Sequence, residues 1–180
     1  MTKVVDLQTY RTRAIEQRSF GLWQKRFAET FDSVTRLEDL SDATLYFLAQ
    51  PGELSSVAYY EVIMGVLGLG AATKFYYLNN SDQMRVVDLH LLLADQVRFE
   101  MMRRLGWLDS FNCEQYSLLE MVQAFDKVKV QCKDRPPLAE SHTDYGAYKK
   151  LTGMDREAFI RRMLPRAIET FKDRLSPNSS

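Results

Sequence analysis

Apolar residues recur along most of this chain at helical spacing, and the stretches that break the rhythm are short and polar. Asp6 followed by Leu7, Tyr10, Ala14, Phe20, Trp23 and Phe27 predicts an amphipathic first helix reaching about Thr30. Ser41 stands as an N-cap before Asp-Ala-Thr-Leu-Tyr-Phe-Leu, and Pro51-Gly52 stops the short helix that follows. From Leu54 to Leu78 the apolar positions point in almost every direction, the pattern of a helix enclosed by others. Asn79 to Asp82 form a polar turn with capping chemistry. A helix is predicted from about Gln83 to Leu105, ended by Gly106.

Farther along, Leu118, Met121, Val122 and Phe125 mark another apolar helix face. Val128, Val130 and Cys132 alternate as a strand would, but a lone strand has nothing to pair with, so a helix end or loop is expected there. Pro136-Pro137 makes residues 133–144 the longest loop, and a loop of this length is often functional. A last helix is predicted from Asp155, as N-cap, to about Leu175, kinked at Pro165, with residues 176–180 a disordered tail. The expected fold is all-α: one helical domain over residues 1–175, a multi-helix bundle around a buried central helix at about 54–78. That helix is expected to form an antiparallel hairpin with the one at about 83–105.

Composition narrows the partners. The chain has 180 residues, 46% hydrophobic and 27% charged, the balance of a globular protein. Its 24 basic residues equal its 24 acidic ones, so the basic footprint of a nucleic-acid binder is absent and no nucleic-acid partner is expected. The longest uncharged stretch, Val62 to Thr73, is too short for the ~20 residues of a membrane span, and no membrane association is expected. Cys113 and Cys132 have the spacing of neither a disulfide framework nor a metal site, so both are expected to be reduced thiols. The first residues lack the apolar core of a secretory signal, and a cytoplasmic location is expected. Charge is uneven locally: residues 37–100 hold three basic and nine acidic groups, whereas the flanking segments are net basic and could lie across them, within the chain or between copies.

Candidate chemistry concentrates on the two central helices. Glu61, Gly65, Gly68 and Ala72 fall within about 60° on a helical wheel and form a stripe without bulk, where something approaches the backbone closely. Either a neighbouring helix lies there or a flat ligand does, with Glu61 at its rim. The same glycines resemble a phosphate loop, but no preceding strand supports that reading. His90 and Arg98 project from the apolar side of the 83–105 helix. Arg98 is expected either to pair with Glu61 across the hairpin or to reach water along its stem. His90 is read as hydrogen-bonded in or beside the core, because no second ligand at metal spacing accompanies it.

Tyr59-Tyr60 and Tyr76-Tyr77 suit a core edge or an interface. Ser141-His142-Thr143-Asp144 are sequence neighbours, which is not how a catalytic triad is assembled. Thr143 or Asp144 is expected to cap a short helix through Tyr148. The expected function is a non-enzymatic helical interaction or regulatory protein, working as a homodimer or with another protein. The alternative is a binder of a small apolar molecule, or an enzyme, with an inter-helix pocket near Glu61, His90 and Arg98. The candidate ligand-binding set is Glu61, Gly65, Gly68, His90, Arg98 and Tyr60; no catalytic residue, metal ligand or cofactor is expected.

Overall fold

The computed structural model describes residues 6–109 and 112–176. The chain is all-α, with helices α1 (Leu7–Phe27), α2 (Asp42–Ala49), α3 (Glu53–Leu67), α4 (Asn80–Arg104), α5 (Leu118–Gln123), α6 (Phe125–Gln131), α7 (Tyr145–Tyr148) and α8 (Gly153–Leu175). Among the described residues, β pairing is limited to isolated bridges, Arg36 with Ser117 and Leu108 with Leu138. No described helix is long and apolar enough to cross a membrane.

The helix starts follow the capping chemistry of the sequence. Asp6 accepts from the Gln8 N–H (3.0 Å), Ser41 from Thr44 (3.1 Å), and Asn79 from Asp82 (2.8 Å). Ser117 and Glu120 form a reciprocal capping box at α5. Residues 125–131, including Val128 and Val130, are helix α6 rather than a helix end or loop, because the step from α5 at Ala124 lets Val128 bury while Val130 faces water. The last helix starts at Gly153, with Thr152 at its N-cap position, and not at Asp155. The tail expectation for 177–180 lies outside the described residues. Ser176 itself is ordered onto α8, its N–H donating to the Asp173 carbonyl (3.2 Å).

Helix α3 sits at the centre, with most of its residues from Ala58 to Val66 buried. Its length corrects the expectation of one helix over 54–78. Gly68, with φ +70°, caps it in the left-handed conformation, and a 3-10 segment follows at Ala72–Tyr77. A residue with a Cβ resists that conformation, so the glycine stops the helix although apolar residues continue beyond it.

Helix α1 packs on α3 more extensively than any other pair of elements. Trp23 of α1 is buried, with its indole N–H donating to the Ala58 carbonyl (2.7 Å). Phe20, Phe31 and Phe27 gather around Trp23, with ring centroids 5.5–6.0 Å from it. On its other side α3 runs antiparallel to α4, since Tyr59 and Tyr60 meet His90 whereas Ala49, just ahead of α3, meets Arg98.

The uneven charge resolves into contacts within the chain. Arg26 pairs with Glu61; Arg104 and Arg174 pair with Asp42 (2.9 and 3.2 Å); Arg135 pairs with Asp95 (2.8 Å). The long loop is accordingly tied down. Arg135 also reaches Glu157 (2.6 Å) and stacks over Phe99, while Ala139 donates to the Trp107 carbonyl (2.8 Å). Cys132 is disulfide-bonded, which overturns the expectation of reduced thiols. Spacing alone carried no signal of it, since closing a short loop needs only the right Cβ geometry. The other cysteine of the sequence, Cys113, has a side chain outside the described part.

Candidate functional site

The candidate residues divide between the two sides of α3. Towards α1 lie Glu61 and Gly65. A Cβ on Gly65 would stand 2.5 Å from the Arg18 carbonyl oxygen and 2.8 Å from the Ser19 Cα, so the α1 main chain itself occupies the bare position. Of the two readings of the stripe, the neighbouring helix is what the structure has at Gly65. Arg18 completes the crossing by donating to the carbonyls of Gly65 and, at 3.4 Å, Val66 in the last turn of α3. Gly68 is exposed, with the Arg18 guanidinium 3.8 Å from where a Cβ would be. The stripe therefore ends at Gly65, and Gly68 belongs to a helix terminus.

Glu61 is buried and bonded to Arg26 of α1, which also lies over the Phe47 ring. Its partner is not Arg98. With α3 ended at Leu67, the return through residues 68–79 is no simple turn, and the level of Arg98 falls beside Ala49, whose carbonyl it meets at 3.4 Å. Arg98 is half-buried, its stem on the core edge. The second carboxylate oxygen of Glu61 is buried without a hydrogen-bond partner among the described residues.

Towards α4 lies a connected aromatic assembly. Tyr59 is buried and donates its hydroxyl to the Leu48 carbonyl (2.8 Å); burial raises its pKa well above the ordinary tyrosine value. His90 packs against Tyr59 and Tyr60, with ring centroids 5.0 and 5.3 Å apart. Burial, and secondarily the Arg98 charge, hold the His90 pKa below the usual imidazole range, so the ring stays neutral at pH 7. Tyr60 stacks on Phe75 at 4.8 Å, and Phe75 meets Tyr76 edge-on at 5.3 Å. Burial, then the Tyr76 phenol, raise the Tyr60 pKa.

Tyr60, Phe75 and Tyr76 wall a cleft of about 480 Å³ whose other side is the start of α3 at Glu53, Ser56 and Val57. Neither Glu61, His90 nor Arg98 lines it. The structure thus joins Tyr60, His90 and Arg98 on one side of α3 and leaves Glu61, Gly65 and Gly68 on the other. Val57, Phe75 and Tyr76 were missed as site residues because the 54–78 stretch reads as one helix; Gly68 and Gly70, both at positive φ, were the available signal of a break.

The His142 imidazole accepts from the Asp144 N–H (3.0 Å) and packs on Trp107, while the Asp144 side chain reaches Arg166 (2.7 Å). Asp144 occupies the N-cap position of α7, though its side chain makes no capping hydrogen bond. These residues form a structural corner around a short helix. Among the described residues no three His, Cys, Asp or Glu side chains gather closely enough to hold a metal ion.

Large apolar groups also stand in solvent around this region: Tyr76 is 86% and Tyr77 84% exposed, and on α4 Met84 and Leu91 are 68% and 58% exposed. Compared with protein-family models, with curated proteins and with solved structures, the chain matches none.

Proposed function

We propose that this chain is a non-enzymatic interaction or regulatory protein that works as a homodimer. The observation that carries the reading is the exposed apolar surface of Tyr76, Tyr77, Met84 and Leu91, set beside a core that buries Tyr59, Leu89 and Leu93 almost completely. Tyrosine and methionine exposed together are the composition of protein interfaces, where a large apolar body and a polar tip both find partners. The even charge balance favours neither nucleic acid nor an anionic membrane as partner. Sedimentation velocity of the full chain between roughly 1 and 100 µM tests the reading. A dimer within that range is the expected result, and a monomer throughout contradicts it.

A second reading is favoured by the cleft beside Tyr60. At about 480 Å³ it lies within the roughly 300–1,000 Å³ range of small-molecule sites, and its aromatic wall is preformed by the Tyr60–Phe75 stack. The ligand would be a small apolar molecule with a polar group near Glu53 or Ser56. Mass spectra of the purified protein under native and denaturing conditions separate the readings, since a bound molecule adds mass only in the first.

Location belongs to the same reading. The sequence points to the cytoplasm, whereas a disulfide at Cys132 persists most readily in an oxidising compartment. Trapping free thiols in intact cells before extraction distinguishes them: a Cys132 that reacts with the trap supports the cytoplasm.

A further inference from the structure

The exposed side of α4 is patterned for another helix. Met84, Val87 and Leu91 follow the i, i+3, i+7 spacing and all face solvent, while Val86, Leu89, Leu93 and Val97 bury the opposite side of the same helix. Beside this stripe runs a groove of about 640 Å³, edged by Arg85 and Asp88 of α4 and by Asp126 and Lys127 of α6. These four charges, two of each sign, have no ion-pair partner among the described residues. By contrast Asp42, Asp95 and Glu100 are all paired with arginines.

A surface with free charges of both signs is poorly matched to a strongly acidic or basic partner and well matched to a copy of itself. In a two-fold arrangement of antiparallel helices, the same edge of each helix meets its counterpart running the opposite way. A two-fold axis placed between Val87 and Asp88 sets Met84 of each copy against Leu91 of the other. It also brings Arg85 to within about 3 Å, along the helix axis, of the level of Asp88 in the second copy, and it does so twice. The reverse order, two like charges on that edge, would repel.

Covering Met84, Val87 and Leu91 with the flanking Arg85 and Asp88 removes on the order of 500 Å² per copy, at the small end of interfaces and in keeping with weak association.

We infer that α4 is the homodimer surface of this protein, two copies packing antiparallel through Met84, Val87 and Leu91 with reciprocal Arg85–Asp88 pairs. The inference rests on the homodimer reading above and names its interface. Sedimentation velocity on the full chain tests it with Leu91→Glu, Arg85→Glu, Asp88→Arg and the double charge exchange, with circular dichroism confirming that each variant is folded. The expected result is a monomer for Leu91→Glu, a roughly tenfold weaker dimer for each single exchange, and recovery to within about threefold of wild type for the double. A wild-type chain that stays monomeric overturns the homodimer reading and this inference with it. A wild-type dimer indifferent to Leu91→Glu overturns the α4 surface alone. Loss with Leu91→Glu but no recovery in the double exchange overturns the antiparallel register.

Discussion

Replacing Gly65 by alanine adds a single methyl group at the point where α1 crosses α3. The new Cβ would meet the Arg18 carbonyl oxygen at 2.5 Å and the Ser19 Cα at 2.8 Å, both main-chain atoms that no rotamer change can move aside. Helix α1 must shift, loosening the Trp23 to Ala58 hydrogen bond and the Arg18 contacts with the end of α3. Overpacking of this kind costs about 1–3 kcal/mol or more, and alanine's better helix propensity returns no more than about 1 kcal/mol. A net loss of about 2 kcal/mol would lower Tm by roughly 4–8 °C in a chain of this length. Gly21, on α1, is the matched control: a Cβ there meets nothing within 4 Å, so Gly21→Ala should stabilise by about 0.5–1 kcal/mol. Urea unfolding followed by circular dichroism reads both. If Gly65→Ala proves as stable as Gly21→Ala, the close approach of α1 is refuted.

Other substitutions probe the two sides of α3 separately. Arg26→Met leaves the buried Glu61 carboxylate without its partner and should cost about 1–3 kcal/mol, much of it recovered when Glu61→Gln is added; Arg98→Met combined with Glu61→Gln should be additive. Urea midpoints of the single and double variants check both statements. His90 has a folded-state pKa below its ordinary value of 6.5, so its neutral form favours the fold. The stability it contributes is complete above that value and is lost as the pH falls through and below it. Wild type should therefore lose more stability than His90→Phe between about pH 7.5 and 5.5, and equal losses would contradict the burial of the imidazole.

Periodicity and capping residues made most of the fold legible. Asp6 and Ser41 each start a helix where the sequence placed a capping side chain, whereas α4 starts at Asn80, ahead of the expected Gln83, because Asn79 is the residue of the 79–82 stretch that caps it. Of the apolar residues expected along α1, Phe20 and Trp23 turn to the core while Leu7 and Tyr10 are exposed. The bare position at Gly65 was also legible, because a glycine inside a helix needs a reason and close approach is the commonest one. What could not be read was the end of α3. Leu69, Phe75 and Leu78 continue an apolar rhythm that an α-helix and a 3-10 segment share, so only the conformation of Gly68 decides between them. That one boundary moved Arg98 away from Glu61, and it put Tyr76 and Tyr77, read as suited to a core edge or an interface, in open solvent. The disulfide at Cys132 was hidden for another reason: a pair of cysteines is compatible with either redox state until their distance is known.

The dimer through α4 admits a covalent test that does not depend on affinity. Val87 lies beside the inferred two-fold axis, so cysteines introduced there in two copies would stand within the roughly 4.4–6.8 Å Cα separation that a disulfide bridges. Cys132 is already bonded and does not compete as a free thiol. Val87→Cys is compared under mild oxidation with Leu22→Cys, which places a thiol at a more exposed site on α1. A covalent dimer from Val87→Cys and none from Leu22→Cys is the expected result; no covalent dimer from Val87→Cys, or equal amounts from both, would contradict the interface.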